Sequence, residues 1–162
     1  MKVLIFGLPG SGKTTLAKPF AELIGGVHIN ADNVRSQYND WDFTPEGRMR
    51  QAARMRYLAD GIVMAGKVAV ADFVCPTEQA RMEFNADFTV WMDTIKEGRF
   101  EDTNAMFVQP PHCDYHVEGW FSDTHEVLLK VVQRWMERNN VQRFCTYNTN
   151  ARTLATLAQR TH

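Results

Sequence analysis

"MKVLIFGLPGSGKTT" (residues 1–15) opens on an apolar run, Lys2 to Phe6, and passes at once into "GLPGSGKT" (7–14), which fits G-x-x-x-x-G-K-[ST] in full. The run reads as a strand buried on both faces, and the residues from 13 to 24 carry a helical pattern. A glycine-rich turn between a strand and a helix lets backbone N–H groups converge on phosphate oxygens at the positive end of the helix. Lys13 supplies a mobile charge to the outer phosphates, and the Thr14 hydroxyl is placed for Mg²⁺. Gly7, Leu8, Pro9, Gly10, Ser11, Gly12, Lys13, Thr14 and Thr15 are therefore the candidate ATP-binding residues.

Working outward, β-type runs alternate with helical patterns. "VHIN" (27–30), "KVAVADFV" (67–74), "FTVWMD" (88–93) and "RFCTYN" (143–148) are rich in β-branched and aromatic residues. Helical spacing occupies 46–65, 77–84, 123–139 and 150–160, with Val127, Val131 and Trp135 as a core stripe beside Leu128 and Val132. Such alternation predicts one α/β domain over 1–162: a P-loop NTPase fold, three-layer α/β/α, with a five-stranded parallel sheet. In these folds ligands collect beyond the carboxyl ends of the strands. The segment from about 96 to 122 mixes charge, Pro110-Pro111 and aromatics without a period and reads as a lid insertion. The loop after the last expected strand would cradle adenine through the backbone of Asn150 and Ala151.

Charge and composition narrow the classes. With 18 basic and 19 acidic residues and a net charge of -1, the chain has no global basic field and no clear nucleic-acid signal. No stretch approaches a membrane span, the N-terminus lacks a signal-peptide pattern, and three cysteines form no framework, so the expected compartment is the reducing cytoplasm. An N-K-x-D guanine reader does not occur, and remodelling ATPases ordinarily need more chain. A phosphate loop with a lid suits a kinase for a small-molecule acceptor, because closure keeps water from the donor. The sequence is compatible with a homodimer.

On the acceptor side, Asp32 follows the second strand and can take a hydroxyl proton or hold Mg²⁺ through water; its type also suits the N-cap of a helix from Asn33. Arg35, one helical turn on, suits an anionic oxygen. "His112, Cys113 and His116" stand close together, but without a fourth ligand they read as packing in the lid.

"NADNVR" (30–35) resembles the "DGDNVR" of adenylylsulfate (APS) kinases, and "DFTPEGRMRQAARMRYLADGIVMAGKVAVADFVCPTEQAR" (42–81) is similar to that family's arginine-bearing helix and "SFISP" segment. The likeness covers about residues 1–94. It implies transfer of the γ-phosphoryl group of ATP, with Mg²⁺, to the 3′-hydroxyl of APS, giving PAPS. It also implies that Lys13 and Asp32 are catalytic, Thr14 and Asp32 attend the metal, and Arg35, Phe43, Arg48, Gln51, Phe73, Val74 and Phe100 join Asp32 around the acceptor. Asn30, Ala31, Gln51 and Asp72 stand where the family has Asp, Gly, Asn and Ser, and Asp72 adds a second carboxylate at a strand end. An altered lid keeps two alternatives in view. One is a P-loop kinase of another acceptor, such as a modified nucleotide, a sugar acid or a nucleic-acid end; the other is a nucleotide-binding regulator without transfer activity.

Overall fold

Residues 1–141 are described by the computed structural model. In chain order they form β1 (Lys2–Gly7), α1 (Lys13–Ile24), β2 (Val27–Asn30), α2 (Ala31–Tyr38), α3 (Pro45–Met64), β3 (Ala69–Asp72), α4 (Glu78–Phe84), β4 (Phe88–Met92), α5 (Glu101–Met106), β5 (Tyr115–Val117) and α6 (Thr124–Arg138). The strands make a five-stranded sheet in the order β2-β3-β1-β4-β5, parallel at every pairing.

Period-2 alternation in β1 divides the core into two layers. Val3 and Ile5 pack with Leu16 and Phe20 of α1 and with Leu128 and Val132 of α6, while Leu4 and Phe6 face Ala52 and Met55 of α3 and Phe84 of α4. Burying each large side chain contributes about 1.5–3 kcal/mol, which is why the central strand is apolar on both faces. The three-layer α/β/α expectation is met.

Helix starts follow the expected chemistry. Thr44 caps α3 by accepting from the Gly47 N–H (3.1 Å), with Pro45 in the first turn, and Thr77 caps α4 by accepting from Ala80 (3.1 Å). The cap of α2 is Asn30, whose Oδ1 accepts from the Asn33 N–H at 3.1 Å. Asp32 is therefore not the cap; it lies in the first turn of α2, where its charge complements the helix dipole.

Two expectations are refined. The segment 96–122, read as a lid insertion without a period, contains α5 and then β5, and Val117 is buried in the core. A three-residue strand carries too little period to be read, particularly between prolines and charges. The expected strand at 143–148, the helix at 150–160 and the adenine loop at Asn150 and Ala151 lie outside the described residues. In α6 the buried seam is Leu128, Val132 and Met136, one position on from the expected stripe, with Val131 and Trp135 only partly covered against it.

Candidate functional site

The carboxyl ends of β1, β2 and β3 open into one cleft of about 710 Å³. The phosphate loop forms one wall. Pro9, Gly10, Gly12, Lys13, Thr14 and Thr15 line the cleft. Gly7, Leu8 and Ser11 do not; Leu8 and Ser11 are buried beneath the loop and hold its shape. The Leu8 carbonyl accepts from the Ser11 N–H (3.1 Å) and from Lys13 Nζ (2.9 Å), and the Ser11 carbonyl accepts from Thr94 Oγ1 (2.7 Å). The buried Ser11 Oγ has no hydrogen-bond partner among the described residues.

Gly12 adopts the left-handed conformation (φ 89°) just before α1, and the Trp120 indole lies against it. A Cβ at Gly12 would overlap that ring, within 2.6 Å of Cε2, so both the backbone and the packing require glycine here. Trp120 comes from the turn after β5, in the stretch expected to be a lid, and nothing in its local pattern marked it.

Burial lowers the pKa of Lys13 from 10.5 to about 8, opposed by the charges of Asp72 and Asp32. The ammonium group therefore sits where an anion would strengthen its hold on its proton, as bound phosphate does.

Behind Thr14 lies a group that the sequence brought only partly into view. Asp72, at the end of β3 and 2% exposed, is the register partner of Asn30 at the end of β2. Thr14 Oγ1 donates to Asp72 Oδ1 (3.2 Å), and Asn30 Nδ2 donates both to that oxygen (3.1 Å) and to Thr14 Oγ1 (3.2 Å). His28 Nε2–H donates to the other oxygen, Oδ2. The hydroxyl and carboxylate oxygens are hard donors, close together at the base of the cleft, and they fit a Mg²⁺ ion held directly or through water. Asp32 lines the same cleft from α2. The carboxylate in contact with Thr14 is thus Asp72, which the sequence left between a metal role and a loop charge; Asn30 and His28 were not among the expected site residues.

The opposite wall comes from α2, α3, β3 and α5. Arg35, Phe43, Arg48, Gln51, Phe73, Val74 and Phe100, all expected around the acceptor, line it. Arg35 is buried, and its Nη1 donates to the carbonyls of Asp40 and Asp42 (both 3.0 Å). Its guanidinium stacks 4.4 Å from the Phe43 ring, with Arg48 at 5.5 Å. Burial draws the Arg35 pKa below its ordinary range. Arg48 Nε donates to the Phe43 carbonyl (2.9 Å), while its Nη2 reaches Thr103 Oγ1 (3.0 Å) and Asp102 (3.5 Å) on α5. Gln51 spends its amide on the protein: Nε2 donates to the Ala31 carbonyl (3.0 Å), and Oε1 accepts from Arg54 Nη1 (3.1 Å). Its contribution to the wall is to tie α3 to the start of α2. Phe100 is half exposed beside Arg99, 5.3 Å from that guanidinium.

Trp41, Asp102 and Thr103 also line the cleft, and the sequence had not singled them out. The His112, Cys113 and His116 stretch separates: His116 stacks on Trp91 (4.3 Å, 3°) and bonds Asp93 Oδ2 (3.0 Å), an oxygen shared with Lys96 Nζ (3.0 Å).

A parallel sheet ordered 2-3-1-4-5, with a phosphate loop after its central strand, defines a P-loop NTPase fold of the kind found in small-molecule kinases. Comparison with known proteins narrows this. The family model for adenylylsulphate kinase matches residues 1–99, and the chain belongs to that family. It is 35% identical over 85 residues to a probable adenylyl-sulfate kinase of Aeropyrum pernix, covering 49% of this chain and 46% of that protein. It is also 34% identical over 88 residues to an adenylate kinase of Pyrococcus furiosus, covering 54% of this chain and 37% of that one. The chain spans about half the length of the curated relatives it matches. In fold it is similar to the Mycobacterium tuberculosis APS kinase solved with AMPPNP and APS, with a TM-score of 0.71 at 16% identity over 82% of this chain and 96% of that one.

Proposed function

We propose that the chain is a Mg²⁺-dependent kinase, one catalytic unit over its length, that transfers the γ-phosphoryl group of ATP to a hydroxyl of a small nucleotide-like acceptor. The favoured acceptor is adenylylsulfate, phosphorylated at its 3′-hydroxyl. One observation carries the reading: a single cleft has Lys13 and Thr14 on one wall, Arg35, Phe43 and Arg48 on the other, and Asp32 lining it with them.

In the transfer, the acceptor oxygen forms a bond to the γ-phosphorus, the bond from phosphorus to the ADP oxygen breaks, and the hydroxyl proton passes to the Asp32 carboxylate. Thr14 and Asp72, with Asp32 across the same cleft, would hold Mg²⁺ directly or through water, and the ion would supply neutralisation of charge on the phosphates. Lys13 leaves the Leu8 carbonyl for the phosphate oxygens. Phe43, beside two arginines and nearly half exposed, and Phe100 offer apolar ring surface to a base, while Arg35 and Arg48 meet anionic oxygen. Thiols that are free at Cys75 and Cys113 suit the reducing cytoplasm as its compartment. Among the described residues no helix is long and apolar enough to cross a membrane.

A second reading keeps the donor site and changes the acceptor. It draws support from Asp102, a carboxylate lining the cleft 3.5 Å from Arg48, which lowers the positive charge offered to an anion. The two readings separate in a coupled ADP-release assay with ATP, Mg²⁺ and a panel of acceptors. Turnover with APS supports the first, and turnover only with a modified nucleotide, sugar acid or nucleic-acid end supports the second. ATP binding without acceptor-dependent turnover refutes both and leaves a nucleotide-binding regulator.

A further inference from the structure

Asp72 receives three hydrogen bonds on two oxygens, and their division fixes its orientation. Oδ1 faces Thr14 and Asn30, and Oδ2 is occupied by His28. The arrangement follows from strand geometry. Asn30 and Asp72 are register partners, so their side chains leave the sheet on the same face, and His28, two residues back on β2, lies on that face too. The Asp72 side chain is 3% exposed, so water does not compete for Oδ2, while His28 is 21% exposed and closes the group from its outer side.

Asn30 suits this group because its amide is used at both ends. Oδ1 caps α2, and the two N–H groups of Nδ2 go to Asp72 and Thr14. A carboxylate at position 30 would instead stand against that of Asp72. The result is one buried carboxylate with Oδ2 spoken for and Oδ1 turned toward the Thr14 hydroxyl.

We propose that His28 is a positioning residue for the divalent cation of the donor nucleotide, holding the Asp72 carboxylate so that Oδ1 is presented beside Thr14. This rests on the donor-site reading above, but not on any choice of acceptor. His28 touches neither nucleotide nor metal. It acts by preventing rotation of the carboxylate, as groups behind a metal ligand do in general, where their loss costs about 10- to 100-fold in metal affinity.

The test is calorimetric titration of AMPPNP into the full chain, with Mg²⁺ and with EDTA, for the unaltered protein and for His28→Ala, His28→Asn and His28→Gln. Mg²⁺ affinity of the nucleotide-bound protein should fall about 10- to 100-fold in His28→Ala, while metal-free nucleotide affinity stays within about twofold. Gln, whose terminal N–H extends to the position of Nε2, should recover most of the loss, and Asn, one carbon shorter, should not. Should His28→Ala fail to fold, the contrast between Asn and Gln carries the same decision. Equal Mg²⁺ affinity in all the variants overturns the proposal, as does a parallel fall in metal-free and Mg²⁺-dependent binding that Gln fails to restore. If the unaltered protein binds AMPPNP with no preference for Mg²⁺, the donor-site reading itself falls and takes the proposal with it.

Discussion

Replacing Asp72 by Asn removes one charge from the base of the cleft while keeping the shape of the side chain. The amide oxygen can still accept from Thr14 and Asn30, and its NH₂ would face His28, which can turn acceptor by exchanging tautomer. Bonds to a charged group are worth about 1.5–3 kcal/mol and neutral ones about 0.5–1.5, so three bonds weaken by about 1 kcal/mol each. Relief from burying a charge offsets much of this, and a net loss of about 1–2 kcal/mol would lower Tm by about 2–8 °C in a chain of this size. The catalytic cost is larger. Unit charges about 4 Å apart interact by about 4 kcal/mol at an effective dielectric constant of 20, and each 1.36 kcal/mol is tenfold in rate, so about three decades is the ceiling. A contact through water brings the expected loss in turnover at limiting Mg²⁺ to about two decades. Asp72 also supports the Lys13 proton more strongly than Asp32 does, so the Lys13 pKa should fall below about 8 in the variant. The assay is steady-state ADP release against Mg²⁺ concentration, with Tm measured alongside. Turnover within threefold of the unaltered protein at every Mg²⁺ concentration, in a folded variant, would refute the reasoning.

Four further outcomes follow from the same geometry. Asp32→Ala should lower turnover by several decades with ATP affinity nearly unchanged, since Asp32 caps nothing and is exposed in the cleft; equal turnover would remove it from the proton transfer. Because Lys13 has a folded pKa of about 8 rather than 10.5, the unliganded protein loses that charge as pH rises through about 8. Bound phosphates restore the proton, so calorimetric ATP affinity should be highest below that pH and decline above it, and Lys13→Met should lose this dependence. Gly12→Ala places a side chain at φ 89° and against Trp120, costing about 1–2 kcal/mol from the backbone alone. Its Tm should fall by about 2–8 °C from the backbone and further from the overlap with the ring, and adding Trp120→Ala should return only the part due to the ring. Arg48→Ala should raise the KM for the acceptor by about tenfold or more and leave that for ATP within about twofold, as its contacts lie wholly on the acceptor wall.

The elements that could be read from sequence are those in which local pattern and tertiary role coincide. β1, the phosphate loop and α1 were legible because an apolar strand, the G-x-x-x-x-G-K-T spacing and a helical period follow without interruption. Strands β2, β3 and β4 and helices α3 and α4 were legible for similar reasons, although the caps at Thr44 and Thr77 emerge only from the structure. β5 was not, because Tyr115, His116 and Val117 form too short a run, and only pairing with β4 makes them a strand. Neither was the group around Asp72. His28 and Asp72 are 44 residues apart, and their contact depends on the register of β2 against β3, which no local spacing encodes. The place of Asp72 at a strand end could therefore be read from the sequence, but its contacts with Thr14, Asn30 and His28 could not.

The proposed reaction moves a phosphoryl group from ATP to the 3′-hydroxyl of APS. Incubation of the full chain with ATP, Mg²⁺ and APS, followed by chromatographic separation of the nucleotides, tests it most directly. The expected products are PAPS and ADP in equal amounts, dependent on Mg²⁺ and abolished in Asp32→Ala. ADP formed without any phosphorylated APS, or no consumption of either substrate by protein that binds ATP, would contradict it.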